Sequence, residues 1–221
     1  MRALTPELLD ILPAHDPRAI RSRRDLVLIN RIMRQPAIMA RALRSFPPPR
    51  TLADLGGGDG RFLLAVARRL AKHWPNVHAL VCDRQDIVTP KTRAAFQALG
   101  WHCEVHAGDV LESLPQADLI TANLFLHHFD DVALTRLLAQ VAVHASHFAA
   151  CEPRRGRFAL AGARLVGLLG CNDVTRHDAV VSVRAGFADQ ELSRHWQFQG
   201  WSLNERAAFP FSHVFSARRH V

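Results

Sequence analysis

The sequence predicts an α/β fold built around a mostly parallel sheet, and three observations predict it. From residue 51 onwards, short apolar runs alternate with helix-length amphipathic segments, as successive βα units require. A glycine-rich turn, Asp54-Leu55-Gly56-Gly57-Gly58-Asp59-Gly60, follows the first apolar run and opens a helical one. Acidic residues then stand just past the second and third runs, at Asp83 and Asp109.

Taken in order, residues 5–45 read as helical, with Leu26, Ile29, Ile32 and Met33 at helix-like spacing. Pro36 opens or kinks a further helix, and Phe46-Pro47-Pro48-Pro49 is a stiff boundary. The chain thus divides into a helical extension, 1–49, and an α/β domain, 50–221. Strands are expected at Thr51–Leu55, Val77–Cys82, His102–His106, Leu119–Ala122 and His147–Cys151, with helices over Arg61–His73, Thr89–Leu99 and Asp131–Ala145. An insertion at 156–186 should hold a helix over Phe158–Leu169 and then an irregular stretch. A helix at Asp189–Trp196 and two antiparallel closing strands, Trp201–Arg206 and Ser212–Ala217, finish the chain.

Composition narrows the function classes. The 221 residues, 48% hydrophobic and 22% charged, suit one folded domain with an extension. No apolar run reaches the roughly 18 residues of a membrane span; the longest, Phe158–Cys171, is broken by Arg164. The acidic, proline-broken start MRALTPELLDILPAHDP is unlike a signal peptide, so a cytoplasmic location is expected. Cys82, Cys103, Cys151 and Cys171 are scattered without a C-x-x-C pair, and neither disulfides nor a zinc site are expected from them. The net charge of +8 comes from 26 Arg and only 2 Lys, ten of the arginines within residues 1–50. That skew reads as a solvated face or as a surface for an acidic partner or membrane.

Glycines in the turn permit positive φ and close ligand approach, and the helix behind it presents free N–H groups. A dinucleotide site wants G-x-G-x-x-G, but the third glycine position holds Arg61 or Leu63, depending on register. A phosphate-loop Gly-Lys-Ser/Thr is also absent, which argues against nicotinamide and nucleoside triphosphate sites. A carboxylate at Asp83 can accept from both hydroxyls of a ribose, and Asp109 is placed to meet an adenine amine.

These residues, in this order, resemble the class I S-adenosylmethionine-dependent methyltransferase family over about residues 50–217, and D-L-G-G-G-D-G is similar to the first motif of its small-molecule O-methyltransferases. The resemblance implies a Rossmann-like three-layer sandwich, a seven-stranded mostly parallel sheet with an antiparallel last strand, and S-adenosylmethionine as cofactor. It implies binding through Asp54, Gly56, Gly57, Gly58, Asp83, Arg84, Asp109 and Val110, with Asn123 facing the transferred methyl.

Methyl transfer to a phenol needs in-line alignment and removal of a proton with pKa near 10, a task suited to histidine. The segment from Asn123 to Asp131 is similar to the L-H-D-W-S-D-E stretch of plant-type phenolic O-methyltransferases, whose histidine is the general base and maps onto His127. His128 and Phe129 replace the Asp and Trp, and Glu152 occupies the position that orients the base. A structural histidine is the alternative for His127, and packing is the alternative to a substrate contact for His128. The stretch Cys171–Asp178 matches no family motif; Asn172 and Asp173 are expected to face substrate, with His177 a rival base, or else the stretch is a polar surface loop.

The expected acceptor is a hydroxyl of a hydrophobic, aromatic small molecule of secondary or quinone-type metabolism. Phe125, Phe129, Phe187 and the helix from Phe158 would line its pocket or else belong to the core. N- or C-methylation remains an alternative. Nucleic acid is disfavoured as a partner because Asn123-Leu124-Phe125-Leu126 lacks the proline motif of base-amine methyltransferases. A cofactor-binding partner subunit without turnover is a further alternative. No divalent metal is expected, since Asp118 precedes its strand. Plant-type enzymes carry a large dimerisation domain where this sequence has about 50 residues, so the leading helices are expected to cap the pocket, and a homodimer stays open.

Overall fold

In the computed structural model, which describes residues 1–220, one seven-stranded sheet runs in the order β3-β2-β1-β4-β5-β7-β6. Five strands are parallel: β1 (Thr51–Leu55), β2 (His78–Asp83), β3 (His102–Ala107), β4 (Leu119–Asn123) and β5 (His147–Pro153). β7 (Ser212–Arg219) is antiparallel to both β5 and β6 (Trp201–Ala208). The chain steps outward from β1 to β3 and then returns to the other side of β1. Ligands of open α/β sheets bind at this reversal, beyond the carboxyl ends of the strands.

The central strands β1, β4 and β5 form where they were predicted because they are buried on both faces and read as near-continuous apolar runs. One face packs α3 (Gln35–Leu43) and α4 (Arg61–Leu70) through Met39, Leu43, Leu63 and Leu70, together with Phe96 of α5 (Pro90–Gln97). The other packs α6 (Asp131–His144) through Leu134, Leu137 and Val141. Each fully buried Leu is worth about 1.5–3 kcal/mol relative to exposure. α6 starts at Asp130, whose carboxylate accepts the Ala133 N–H at 2.8 Å, a capping contact.

Two expectations for the insertion are corrected. The helix expected over Phe158–Leu169 is α7 (Arg157–Arg164) followed by a separate 3-10 turn, Val166–Leu169, and Phe158 is 88% exposed. The stretch expected to be irregular contains α8 (Asp173–Ala185), capped by the Asn172 side chain accepting from Thr175 N–H at 2.9 Å. Its β-branched residues have weak helix propensity, which hid it. Burial of Val174, Val181, Val183 and Ala185 supplies what propensity does not. A short helix, α9 (Glu191–His195), leads into β6.

The leading residues form α1 (Leu8–Ile11), α2 (Pro17–Ile32) and α3. Asp16 caps α2, accepting the Arg18 N–H at 2.7 Å. α2 is tied to α8 through Ser22, Thr175 and Asp25, whose carboxylate accepts the Asn172 N–H at 2.8 Å. Among the described residues no helix is long and apolar enough to cross a membrane, and all four cysteines are buried free thiols.

Candidate active site

The turn after β1 needs glycine at two of its positions for different reasons. Gly56 has φ +64°, and a Cβ there would lie 2.2 Å from the Phe125 ring. Gly58, at φ +55°, has open space where its Cβ would be, so a ligand can approach the backbone there. Asp83 tethers the turn to β2: one carboxylate oxygen accepts the Gly58 N–H at 2.9 Å and the other the Gln85 N–H at 3.1 Å. An ionised carboxylate offers about four acceptor directions, so Asp83 retains capacity for a ribose. Asp109 pairs with Arg84 at 2.8 Å and accepts the Leu111 N–H at 2.9 Å, while Val110 is buried in the core.

Asp54 is placed differently from expectation. Its carboxylate is 1% exposed, takes the Thr121 hydroxyl at 2.7 Å, and lies beneath the turn. Burial pushes its pKa up to about 7 despite that hydrogen bond. It supports the turn from below. Asn123 ends β4 with its amide N–H reaching Asn30 of α2 at 3.4 Å, and its buried Oδ1 has no hydrogen-bond partner among the described residues. A buried acceptor left without a donor is costly. Together with the space at Gly58, it fits a polar ligand with donors seated between the turn and β4.

Beyond β4, Leu124 takes φ +51° and the chain enters a 3-10 turn, Leu126–His128. Glu152 of β5, fully buried, organises this turn. Its Oε1 accepts the N–H groups of Phe125 at 3.0 Å and Leu126 at 2.9 Å, and its Oε2 accepts His127 Nδ1–H at 2.7 Å. That bond fixes the imidazole ring and leaves Nε2 facing outward from β5. His127 is 2% exposed.

Nε2 meets Glu7, at 3.2 Å from its Oε1. Glu7 also takes the Ser182 hydroxyl of α8, and a strap of residues 2–10 holds it there. The Arg2 guanidinium donates to Phe129 O at 2.8 Å and Ala185 O at 2.9 Å and lies 4.4 Å from the Phe187 ring centroid. Asp178 accepts the Leu8 and Leu9 N–H groups at 2.8 and 3.0 Å, and Asp10 pairs with His128 at 3.0 Å.

Burial alone would lower the His127 pKa, but Glu152 and Glu7 on its two nitrogens outweigh it and raise the value to about 9. Burial opposes ionisation of both carboxylates as well. The His127 contact nevertheless holds Glu7 and Glu152 below the ordinary carboxylate range, with backbone donors adding to the effect on Glu152. With the strap docked, His127 is therefore an imidazolium between two anions at neutral pH. It holds a proton where a base would need a lone pair.

The fold thus gathers Gly56, Gly57, Gly58, Asp83, Arg84, Asp109 and Asn123 at the carboxyl edge of the sheet, with His127, Glu152 and His128 beyond β4 and β5. It does not bring the unplaced stretch to them. Asn172 is spent on the α8 cap and on Arg18 O at 2.9 Å, and Asp173 is exposed. His177 is exposed and, among the described residues, bonds only its neighbour Asp178, at 2.9 Å. The α8 residues that reach the site lie further along, at Asp178 and Ser182. Sequence reasoning missed Glu7, Arg2 and Ser182; Glu7 is 120 positions from His127, and nothing local to it signals that contact. Asp118 caps the start of β1, accepting the Arg50 and Thr51 N–H groups at 2.7 and 2.9 Å.

A family model described as an O-methyltransferase domain matches residues 20–152, more than half of the chain. Strychnine O-methyltransferase of Strychnos nux-vomica is 33% identical over 88 residues, 40% of this chain and 22% of that protein. Acetylserotonin O-methyltransferase of Gallus gallus is 31% identical over 104 residues, 47% of this chain and 27% of that protein. The matches thus span about a quarter of these relatives' lengths. Among solved structures, an O-methyltransferase family protein from Burkholderia thailandensis superposes with a TM-score of 0.66 at 20% identity, covering 94% of this chain and 61% of that one. The mitomycin 7-O-methyltransferase structure gives a TM-score of 0.59 at 20% identity, covering 93% of this chain and 58% of that one. At these identities the likeness is one of fold.

Proposed function

Because the chain belongs to the O-methyltransferase domain family, we propose that it transfers the methyl group of S-adenosylmethionine to a hydroxyl of a hydrophobic aromatic small molecule. The observation that carries this reading is the Glu152–His127 pair, 2.7 Å apart, held beside the glycine turn at the carboxyl edge of the sheet. Gly56, Gly57, Gly58, Asp83, Asp109 and Asn123 would hold the cofactor, which supplies an electrophilic methyl on a sulfonium. The acceptor hydroxyl would take the place of Glu7 at His127 Nε2 and give its proton to that nitrogen, while Glu152 keeps Nδ1 protonated and the ring oriented. Phe125 and Phe129, whose ring centroids are 5.1 Å apart, would form an apolar wall.

The docked strap bears on this directly. Nε2 becomes a base only when it is proton-free and Glu7 has left it, so acceptor entry requires the strap to lift. The relatives' names include strychnine and acetylserotonin O-methyltransferases, which favours a small-molecule acceptor. The full clamp on His127 favours a second reading, a chain that binds cofactor without turnover.

His127→Ala distinguishes the two. Labelled-methyl transfer to a panel of phenols should fall at least about a hundredfold, with cofactor affinity by calorimetry unchanged. Undiminished transfer would remove His127 as base. Absence of transfer in the parent protein, with cofactor bound, would favour the non-catalytic reading.

A further inference from the structure

The opposite end of the sheet carries a second group of ligating side chains. His78 opens β2 and His102 opens β3, and the two are direct cross-strand partners in the parallel pair. Residues opposite one another in register point to the same face, as does the residue two positions on, which places Glu104 beside both. His102 Nε2 lies 2.9 Å from Glu104 Oε1, and His78 Nε2 lies 3.1 Å from Glu104 Oε2. The two imidazole rings sit side by side with centroids 5.1 Å apart. The three ligating atoms all fall within 4.8 Å of one another.

Two features set this group apart from an ordinary surface ion pair. His78 Nε2 is shielded from solvent yet makes no hydrogen bond among the described residues; it faces the carboxylate at contact distance but off the line a hydrogen bond needs. Both imidazoles also turn Nε2 toward one carboxylate, each toward a different oxygen. Zinc–nitrogen bonds of about 2.0–2.1 Å at the tetrahedral angle separate ligand atoms by about 3.3 Å. The two nitrogen–oxygen separations are within a few tenths of an ångström of that value, and with all three atoms within 4.8 Å side-chain rotation can close the set.

We propose that His78, His102 and Glu104 form a binding site for a borderline divalent transition metal, of the zinc type, with a fourth position open to water. Two imidazole nitrogens and one carboxylate suit zinc, nickel or cobalt, whereas magnesium and calcium prefer all-oxygen sets. The metal clamps β3, the edge strand of the sheet, to β2 at its exposed end. An exposed three-ligand site of this kind corresponds to a dissociation constant on the order of micromolar, about 8 kcal/mol. The site is independent of the proposed methyl transfer: β2 runs from His78 to Asp83, so about 16 Å of strand separates it from the ligand edge.

Zinc titration of tag-free protein by calorimetry tests this, with thermal melts alongside. We expect saturable binding that loses one equivalent, or weakens at least tenfold, in both His78→Ala and His102→Ala, with Glu104→Gln intermediate. Zinc should raise the melting temperature of the parent protein and not that of the histidine variants. His102 and Glu104 are exposed and His78 is half-buried, and circular dichroism confirms that the variants fold. Cobalt substitution should give a visible absorption band that His102→Ala removes. Glu7, His127 and His128 also lie within ligating reach of one another, so a His127→Ala arm identifies zinc held there. Binding unchanged by loss of both His78 and His102, or zinc bound at no more than millimolar strength, overturns the proposal. Methyl transfer, if present, should be unaffected by the surface variants.

Discussion

Replacing Glu7 by Gln keeps the shape of the strap and removes one of the two anions on His127. The ring now titrates near 9 against an ordinary 6.5, with burial working against that rise. The two carboxylates therefore supply more than the whole net rise of about 2.5 units, roughly 3 kcal/mol at 1.36 kcal/mol per unit. If they share it about equally, losing Glu7 lowers the pKa by more than one unit, to below about 8. The neutral fraction at pH 7 then grows from about 1% to more than about 10%, at least tenfold. Nitrogen-detected NMR titration of the His127 ring in parent and variant reads this directly, and methyl transfer against pH reads its consequence. In the parent, transfer should climb with pH up to about 9; in Glu7→Gln the climb should end at least one unit lower, with a higher rate at pH 7. An unchanged His127 pKa in the variant would refute the strap contact. A shifted pKa with an unshifted rate profile would instead remove His127 from the proton transfer.

Three further outcomes are expected. Arg2→Ala should free the strap, since the Arg2 side chain is 7% exposed and holds two carbonyls and an aromatic face; limited proteolysis within residues 1–11 and acylation of His127 by diethylpyrocarbonate should both accelerate. Gly56→Ala should cost more than about 1 kcal/mol in urea unfolding, because the new Cβ meets both a positive φ and the Phe125 ring, and cofactor binding should be lost with it. Asp54→Asn should stabilise the fold more at pH 8 than at pH 4. The folded pKa of about 7 lies above the ordinary carboxylate value, so ionisation is a penalty that builds as pH rises from about 4 through 7, on the order of 4 kcal/mol at most. Equal melting shifts at the two pH values would contradict it.

The placement of the glycine turn and its two acids at one edge of the sheet was legible in the sequence because these residues are local to strand ends. Gly56 to Gly58, Asp83 and Asp109 each follow an apolar run, and parallel strands carry such residues to one edge whatever the loops do. His127 and Glu152 were legible by the same logic, one past β4 and one at the end of β5. Asp54 shows the limit: its place beside the glycines suggested a ligand contact, yet strand alternation turns it under the turn toward Thr121. α8 was hidden because valine and threonine argue against helix until tertiary burial decides. Asn172 was misread for a related reason, since a capping asparagine and a substrate-facing one look alike in sequence. Glu7 and Arg2 could not be found at all, because nothing within the first eleven residues encodes a partner more than a hundred positions away.

The strap also bears on how an acceptor would bind under the proposed function. Its docking and the acceptor would compete for the same nitrogen, so apparent acceptor affinity would be reduced to the fraction of time that Nε2 is free. A docking free energy of about 3 kcal/mol would weaken that affinity roughly a hundredfold. Docking is also linked to the proton on His127, because the strap's carboxylate adds to that of Glu152 in raising the pKa to about 9. Docking is therefore at full strength below the strap-free pKa and is lost as pH rises through 9. Alkaline pH thus removes the proton from Nε2 and loosens the segment covering it, two effects that act in the same direction on the rate. A catalytic histidine with only its orienting glutamate would lack the second effect. The acceptor KM should therefore fall with rising pH in the parent protein, and the fall should be smaller in Glu7→Gln, where strap and proton are uncoupled.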